Sequence, residues 1–360
     1  MNIAESTSLY ERWLAQQTHV VPSDLKLKHQ FMAEGAFPFF RATFYRWLQQ
    51  WPKICKQLRE APTVLAVGDL HLENFGTWRD SEARLAWGVN DFDQAAPLPY
   101  AQDLVRLAAS ALLAINEGLL AVKPKPACEQ ILAGYVGSLK DGGRPFVLAE
   151  QNRFLREIAQ QQLSDPRIFW ERLQSWPTAT RSRVPKDALS ALERAMPKPL
   201  PIYRVVVRQA GLGSRGLPRF VAIYALSGGL IAREAKAVAP PTAAWLDGKQ
   251  KQSVHIAELY QKSVRSQDPT LKVEGHWLIR RLAPDCMKIR LTDLPVKRNE
   301  DRLLGAMGWE IGNVHLASPK AIPAIMADLK KRKKDWLFNS ARDMAIQVRK
   351  DWKSWRSNFE

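Results

Sequence analysis

Asp69, His71, Glu73 and Asn74 fall within one short stretch, VGDLHLENFG (Val67 to Gly76), and Asn90, Asp91 and Asp93 within another, VNDFDQA (Val89 to Ala95). Each stretch follows an apolar run. Aspartate and asparagine are poor strand formers and costly to bury unpaired, so here they either close turns and cap helices or hold something positively charged. Carboxylate and amide oxygens are the ligands that magnesium prefers. Phosphoryl transfer needs such ligands on the nucleotide phosphates, together with a carboxylate beside the acceptor hydroxyl.

The spacing sharpens that chemistry. In protein kinases a catalytic aspartate stands five residues before a metal-binding asparagine, the separation of Asp69 and Asn74. A second, metal-holding aspartate follows a short hairpin with an aromatic residue behind it. Asp91 and Phe92 fit that description, and Asp93 is a further ligand candidate. Phe92 is expected to pack inward. Close carboxylates repel, so one of them should have a raised pKa or an unsatisfied oxygen. His71 is a candidate for polarising a substrate, against an expected bond to backbone, and Glu73 is expected to be solvated.

A second constellation lies downstream. GLGSRG carries Gly211, Gly213, Ser214 and Gly216, followed by Pro218 and a β-type run. Strand–loop–strand is the context of a glycine-rich loop whose backbone N–H groups approach phosphates, although an ordinary hairpin loop uses glycine too. Lys236 sits on the third predicted strand, where a kinase-type site has a lysine paired with a glutamate from the next helix. Glu258 is the only carboxylate between Lys249 and Gln267, and Glu234, on the same strand face, is the rival partner.

The elements that must position these residues are legible in outline. TVLAVGDL and ARLAWGV read as short buried strands. FPFFRATFYRWLQQW reads as helical, and a long helix should open near Asp103, a plausible N-cap. After the proline-rich joint MPKPLP, the runs IYRVVVRQA, RFVAIYAL and LIAREAKAV suggest an antiparallel meander. A helix over about 247–264 and the strand HWLIRRL follow. The C-terminal part is helical, with Leu337, Ala341, Met344, Val348, Trp352 and Trp355 on one stripe. The parts are 1–195 (helical, with the catalytic and metal loops), 196–290 (β-rich) and 291–360 (helical).

Composition sets wider bounds. An apolar share of 46% and a charged share of 25% are those of an ordinary folded protein. The sequence has no transmembrane run and no secretory signal, so a cytoplasmic protein is expected. Three scattered cysteines argue against structural zinc and for a reducing compartment. The net charge of +17 favours an anionic partner. KKRKK (Lys330 to Lys334) is expected to be a solvated basic turn before an amphipathic helix; nucleic-acid contact is possible but not favoured.

GDLHLENFG, NDFDQA and PYAQDLVRLAAS resemble motifs of the aminoglycoside- and choline-kinase-like phosphotransferases. With FPFFRATF and the glycine loop followed by a strand lysine, they most closely resemble a functionally uncharacterised bacterial domain-of-unknown-function family (family 2252), from about 32 to 318. The resemblance implies an α+β, protein-kinase-like two-lobed fold that binds ATP and magnesium. Asp69 would be the catalytic base, and Asn74 and Asp91 the metal ligands. The glycines and Lys236 would bind phosphates, and Asp103 would brace the catalytic loop. Valine at position 67 departs from the histidine usual before Gly-Asp. The metal and base motifs also precede the glycine loop, which implies a circular permutation: helical C-lobe elements first, β-rich N-lobe after, and RLLGAMGWEIGNVHLAS returning to the C-lobe. The expected activity is phosphoryl transfer to an unidentified hydroxyl acceptor. The alternatives are adenylyl (AMP) transfer on the same fold, or a non-catalytic basic protein that binds nucleotide or nucleic acid.

Overall fold

Two nested strand pairings explain why the motif-bearing loops meet. The computed structural model describes residues 1–148, 152–163, 165–208, 215–248, 254–294 and 299–358. Asn2 and Glu5 form a capping box on the first helix, α1 (Ile3–Gln17), and α2 (Pro22–Glu34) follows. The bulky aromatic segment is two helices, α3 (Ala36–Ala42) and α4 (Phe44–Ile54), broken at Thr43. Four short strands come next: β1 (Thr63–Ala66), β2 (Phe75–Arg79), β3 (Leu85–Val89) and β4 (Ala96–Pro99). Ala66 at the end of β1 pairs with Ala96 at the start of β4, while Phe75 at the start of β2 pairs with Val89 at the end of β3. Segments 67–74 and 90–95 therefore both cross from one ladder to the other, side by side. The β1–β4 pairing was not legible, because Pro97 and Pro99 argue against a strand.

α5 (Tyr100–Asn116) begins directly after Pro99. Asp103 is thus not its N-cap but lies in the first turn, where its carboxylate has another use. α6 (Pro124–Asp141), the two-residue β5 (Phe146–Val147) and α7 (Arg153–Gln162) complete this part, and then come α8 (Pro166–Gln174) and α9 (Lys186–Arg194).

The β-branched runs form a five-stranded antiparallel sheet from β6 (Tyr203–Val207), β7 (Arg219–Leu226), β8 (Gly229–Ala237), β9 (Lys272–Glu274) and β10 (Trp277–Leu282). Their order is β6-β7-β8-β10-β9. The helix expected over about 247–264 is shorter: among the described residues α10 (Thr242–Leu246) and α11 (Ile256–Lys262) lie between β8 and β9. Strand alternation divides the sheet faces. Ala222, Tyr224, Ala235 and Ile279 pack with Ala188, Ala191 and Leu192 of α9, and Val221, Ile223 and Ala232 with Phe169 and Leu173 of α8. Glu234 and Lys236 share the second face with Ala232.

The chain then returns through α12 (Glu300–His315), α13 (Ile322–Lys331) and α14 (Trp336–Arg356). α12 crosses α6 almost backbone to backbone: a Cβ on Gly308 would lie 2.0 Å from the Ile131 carbonyl oxygen, so only glycine fits. On α14, Leu337, Ala341, Met344, Val348 and Trp355 are buried as the stripe predicts, and Trp352 is half-buried. The lysines of the basic run are exposed, and Arg332 pairs with Asp328. With 54% helix and 16% strand in several sheets, the fold class is α+β. Among the described residues no helix is long and apolar enough to cross a membrane.

Candidate functional site

Asp103 ties the first loop down. Its carboxylate accepts hydrogen bonds from the backbone N–H of Val67 at 2.7 Å and of Gly68 at 2.9 Å. Gly68 has φ +82°, and a Cβ there would lie 2.4 Å from the Gln94 carbonyl oxygen, so glycine lets the two loops touch. Asp103 also meets His315 Nε2 at 3.1 Å, and His315 Nδ1 contacts the Tyr135 hydroxyl at 2.9 Å. In the sequence, His315 stands in a helical stretch with no partner at metal-ligand spacing. In the fold it is fully buried and supplies, from α12, an imidazole beside the loop where position 67 is valine.

Asp69 follows on that loop. Arg106, one turn along α5 from Asp103, donates to Asp69 Oδ1 through Nη2 at 2.5 Å and through Nε at 3.1 Å. The guanidinium is itself fully buried and lies over the Phe40 ring at 4.0 Å, so the aromatic segment upstream acts as its seat. Burial raises the Asp69 pKa, and the charge of Arg106 works against that rise. Glu73 corrects one expectation: it is not solvated but pairs with Arg41. His71 corrects another. Its ring makes no hydrogen bond to backbone, and its buried Nδ1 has no partner among the described residues. Desolvation, then the neighbouring Arg41, holds its pKa well below the usual range, so the ring is neutral at physiological pH.

Asn74 joins the loops. Its amide nitrogen donates to the Asp69 carbonyl at 3.2 Å and to the Asp91 carbonyl at 3.1 Å, while its Oδ1 is buried with no donor among the described residues. Phe92 packs inward, 2% exposed and edge-on to Tyr260. From the sheet, Lys236 reaches both carboxylates: it donates to Asp91 at 3.2 and 3.3 Å and forms an ion pair with Asp93. Lys288 approaches Asp91 at 3.7 Å. Burial and the charge of Asp91 push Asp93 up to about 6. Burial also opposes ionisation of Asp91, yet Lys236 and Lys288 outweigh it and hold Asp91 well below the usual carboxylate range. Asp93 Oδ1 is buried and has no partner among the described residues.

The expected partner of Lys236 is wrong. Glu258 lies near the surface on α11 and pairs with His255 at 3.0 Å and Lys262 at 2.8 Å. The short α11 does not carry it into the cleft. The rival Glu234 is fully buried, but its partners are Arg208 at 2.8 Å, Arg219 at 3.4 Å and Arg280 at 2.5 Å. Those three arginines were missed because they come from three different strands or strand ends. Gly211, Gly213 and Ser214 lie outside the described residues. Gly216 has φ +105° and accepts a hydrogen bond from Val21 N–H at 2.9 Å.

Asp69, Asn74, Asp91 and Asp93 line one cleft of about 480 Å³, together with Arg208, Arg219 and Arg280. Ten lysines and arginines line it against five carboxylates, so an anion is the favoured occupant. Among the described residues no three His, Cys, Asp or Glu side chains converge as a metal site. The oxygens on offer are two carboxylates and the Asn74 amide.

Searches of curated proteins and of solved structures return no match. Over residues 20–168 and 170–358 the chain matches DUF2252, described as an uncharacterized protein conserved in bacteria. That match spans nearly the whole chain, loops and sheet alike, and the protein therefore belongs to the DUF2252 family.

Proposed function

We propose that the protein is a kinase-like phosphotransferase that uses ATP and magnesium to phosphorylate a hydroxyl group. One observation carries the reading: Lys236 of the sheet meets Asp91 and Asp93 of the loop cluster, which line one cleft with Asp69 and Asn74. Phosphoryl transfer calls for such an arrangement, with a strand lysine against a metal-holding aspartate and a loop aspartate five residues before an asparagine. In chain order the loops come before the sheet, and α12 returns to pack on α6, which accords with a circularly permuted version of the two-lobed fold.

The residues fit magnesium. Asn74 Oδ1 and Asp93 Oδ1 are buried oxygens lacking donors among the described residues, and Asp91 stands between them in sequence. Oxygens of this kind, completed by phosphates and waters, suit an octahedral ion. When bound, magnesium would neutralise charge on the nucleotide phosphates. Lys236, Lys288 and Arg280 would meet those phosphates. Asp69 would accept a hydrogen bond from the acceptor hydroxyl and take its proton, with Arg106 fixing the carboxylate's position.

Two measurements test this. Isothermal titration should give ATP binding that depends on magnesium; its absence would overturn the reading. In turnover with labelled ATP, γ-label in the product means phosphoryl transfer, whereas α-label means that the same site transfers AMP. Asp69→Asn should lower kcat by about 10²- to 10⁴-fold, the scale of a general base, with ATP affinity held within about two-fold.

A further inference from the structure

We infer that the cleft holds a second anion site, centred on Lys28, and that the acceptor of the transferred group carries a phosphate or carboxylate which this site binds. The substrate class rests on the phosphotransferase reading above; the anion site itself does not.

Lys28 lies on α2, lines the cleft and is 3% exposed. Among the described residues its ammonium makes no hydrogen bond or ion pair. The two carboxylates whose charge it senses are Glu11 and Asp69. Both are engaged elsewhere, Glu11 with His29 at 2.7 Å and Asp69 with Arg106 at 2.5 Å. A buried, unpaired ammonium is costly, and a lysine with a purely structural role would be paired or would extend to solvent. Lys28 has no partner among the described residues, and the one space its ammonium is shown to border is the cleft.

Arg215 adds a second spare cation. Its guanidinium lies over the Phe31 ring at 4.8 Å, and Phe31 is three residues along α2 from Lys28. Its buried Nε has no partner among the described residues, and it too lines the cleft. Arg215 belongs to the glycine-rich stretch and Lys28 to α2. The charge of Asp69, the proposed base, acts on Lys28, which assigns the site to the acceptor. An acceptor with its anionic group on Lys28 would present a hydroxyl to Asp69.

The test uses the full-length protein, with inorganic phosphate and acetate as probes, titrated calorimetrically with magnesium and a non-hydrolysable ATP analogue at saturation so that the γ-phosphate position is filled. Lys28→Met should weaken binding of whichever anion the native protein prefers by about tenfold or more, the worth of one charge-assisted hydrogen bond, and Lys28→Arg should restore it. Analogue affinity should not change. Lys28→Met should also unfold at the same or a higher temperature than the native protein, since it removes an unpaired buried charge. A lower unfolding temperature with anion binding intact would assign Lys28 a structural role and overturn the proposal. So would failure of both anions to bind, or equal binding by the native and Lys28→Met proteins. If the analogue does not bind at all and Lys28→Met still abolishes anion binding, the nucleotide reading falls and the anion site stands.

Discussion

Glu234 and Lys236 are neighbours on one face of β8, yet they belong to charge clusters of opposite design. Around Glu234, three arginines converge on a single fully buried carboxylate, whose pKa Arg208 and the other two hold well below its usual range against the effect of burial. Around Lys236, one ammonium is shared between Asp91 and Asp93, and an oxygen of Asp93 is left over. The first cluster has more positive charge than its carboxylate needs; in the second, Lys236 and the more distant Lys288 face two carboxylates and leave Asp93 Oδ1 without a donor among the described residues. On the proposed function, a magnesium nucleotide would supply a cation to one cluster and phosphates to the other. The lesson is that a buried carboxylate in a cleft is read by what its partners leave unsatisfied, not by its burial.

The largest effect that could break this comparison is on stability. Glu234→Gln should cost about 3–5 kcal/mol in urea unfolding, because it removes the charge shared by buried Arg219 and half-buried Arg208 and Arg280. Asp93→Asn removes a charge that lacks a full partner and should cost less than about 1 kcal/mol, or stabilise. Equal losses from the two substitutions would erase the distinction between a complete and an incomplete cluster.

Magnesium should sharpen it. At about a hundred times its dissociation constant, the ion should raise the native protein's stability by about 2.7 kcal/mol, and do much less for Asp91→Asn. A gain retained by that variant would place the metal elsewhere.

Acidity probes the same imbalance. The Asp93 pKa is raised from its ordinary value of 3.8 to about 6, so the folded state binds the extra proton between those values. The stability from that proton is complete below about 4 and is lost as pH rises through about 6, at up to about 1.4 kcal/mol per unit. Asp91, held low by Lys236 and Lys288, acts below that window. With a chelator present, the native protein should therefore lose stability from about pH 4 to pH 6 relative to Asp93→Asn; parallel curves would contradict the shift.

The smallest effect concerns Glu258. An exposed helix pair contributes little, so Glu258→Gln should change stability by less than about 0.5 kcal/mol and leave ATP affinity unaltered. A large loss of ATP affinity would bring back the lysine–glutamate pair that the geometry removes.

Much of the site was legible because its spacing is local. Asp69, Asn74, Asp91 and Asp93 each lie on one of two short turns, and turn chemistry is written in the residues that form it. The strands bearing Lys236 were legible for the same reason, through their β-branched composition. Partners were not. Arg106, His315, Glu234's three arginines and Lys28 reach the site from other elements, and no local pattern marks which helix face or strand end they will share.

By itself, then, the sequence determined the α+β class, the two acidic turns, the antiparallel meander and the buried stripe of α14, all set by short-range propensity and periodicity. Tertiary structure alone decided the rest. It paired β1 with β4 across two prolines, so that both acidic turns span one gap. It exchanged Glu258 for Asp91 and Asp93 as the partners of Lys236, because α11 is too short and too near the surface to deliver its glutamate. It also left Lys28 buried and unpaired at the cleft wall. These outcomes depend on which distant groups reach one another, and charge pairing in a buried cleft is fixed by distances of a few ångströms that no separation along the chain encodes.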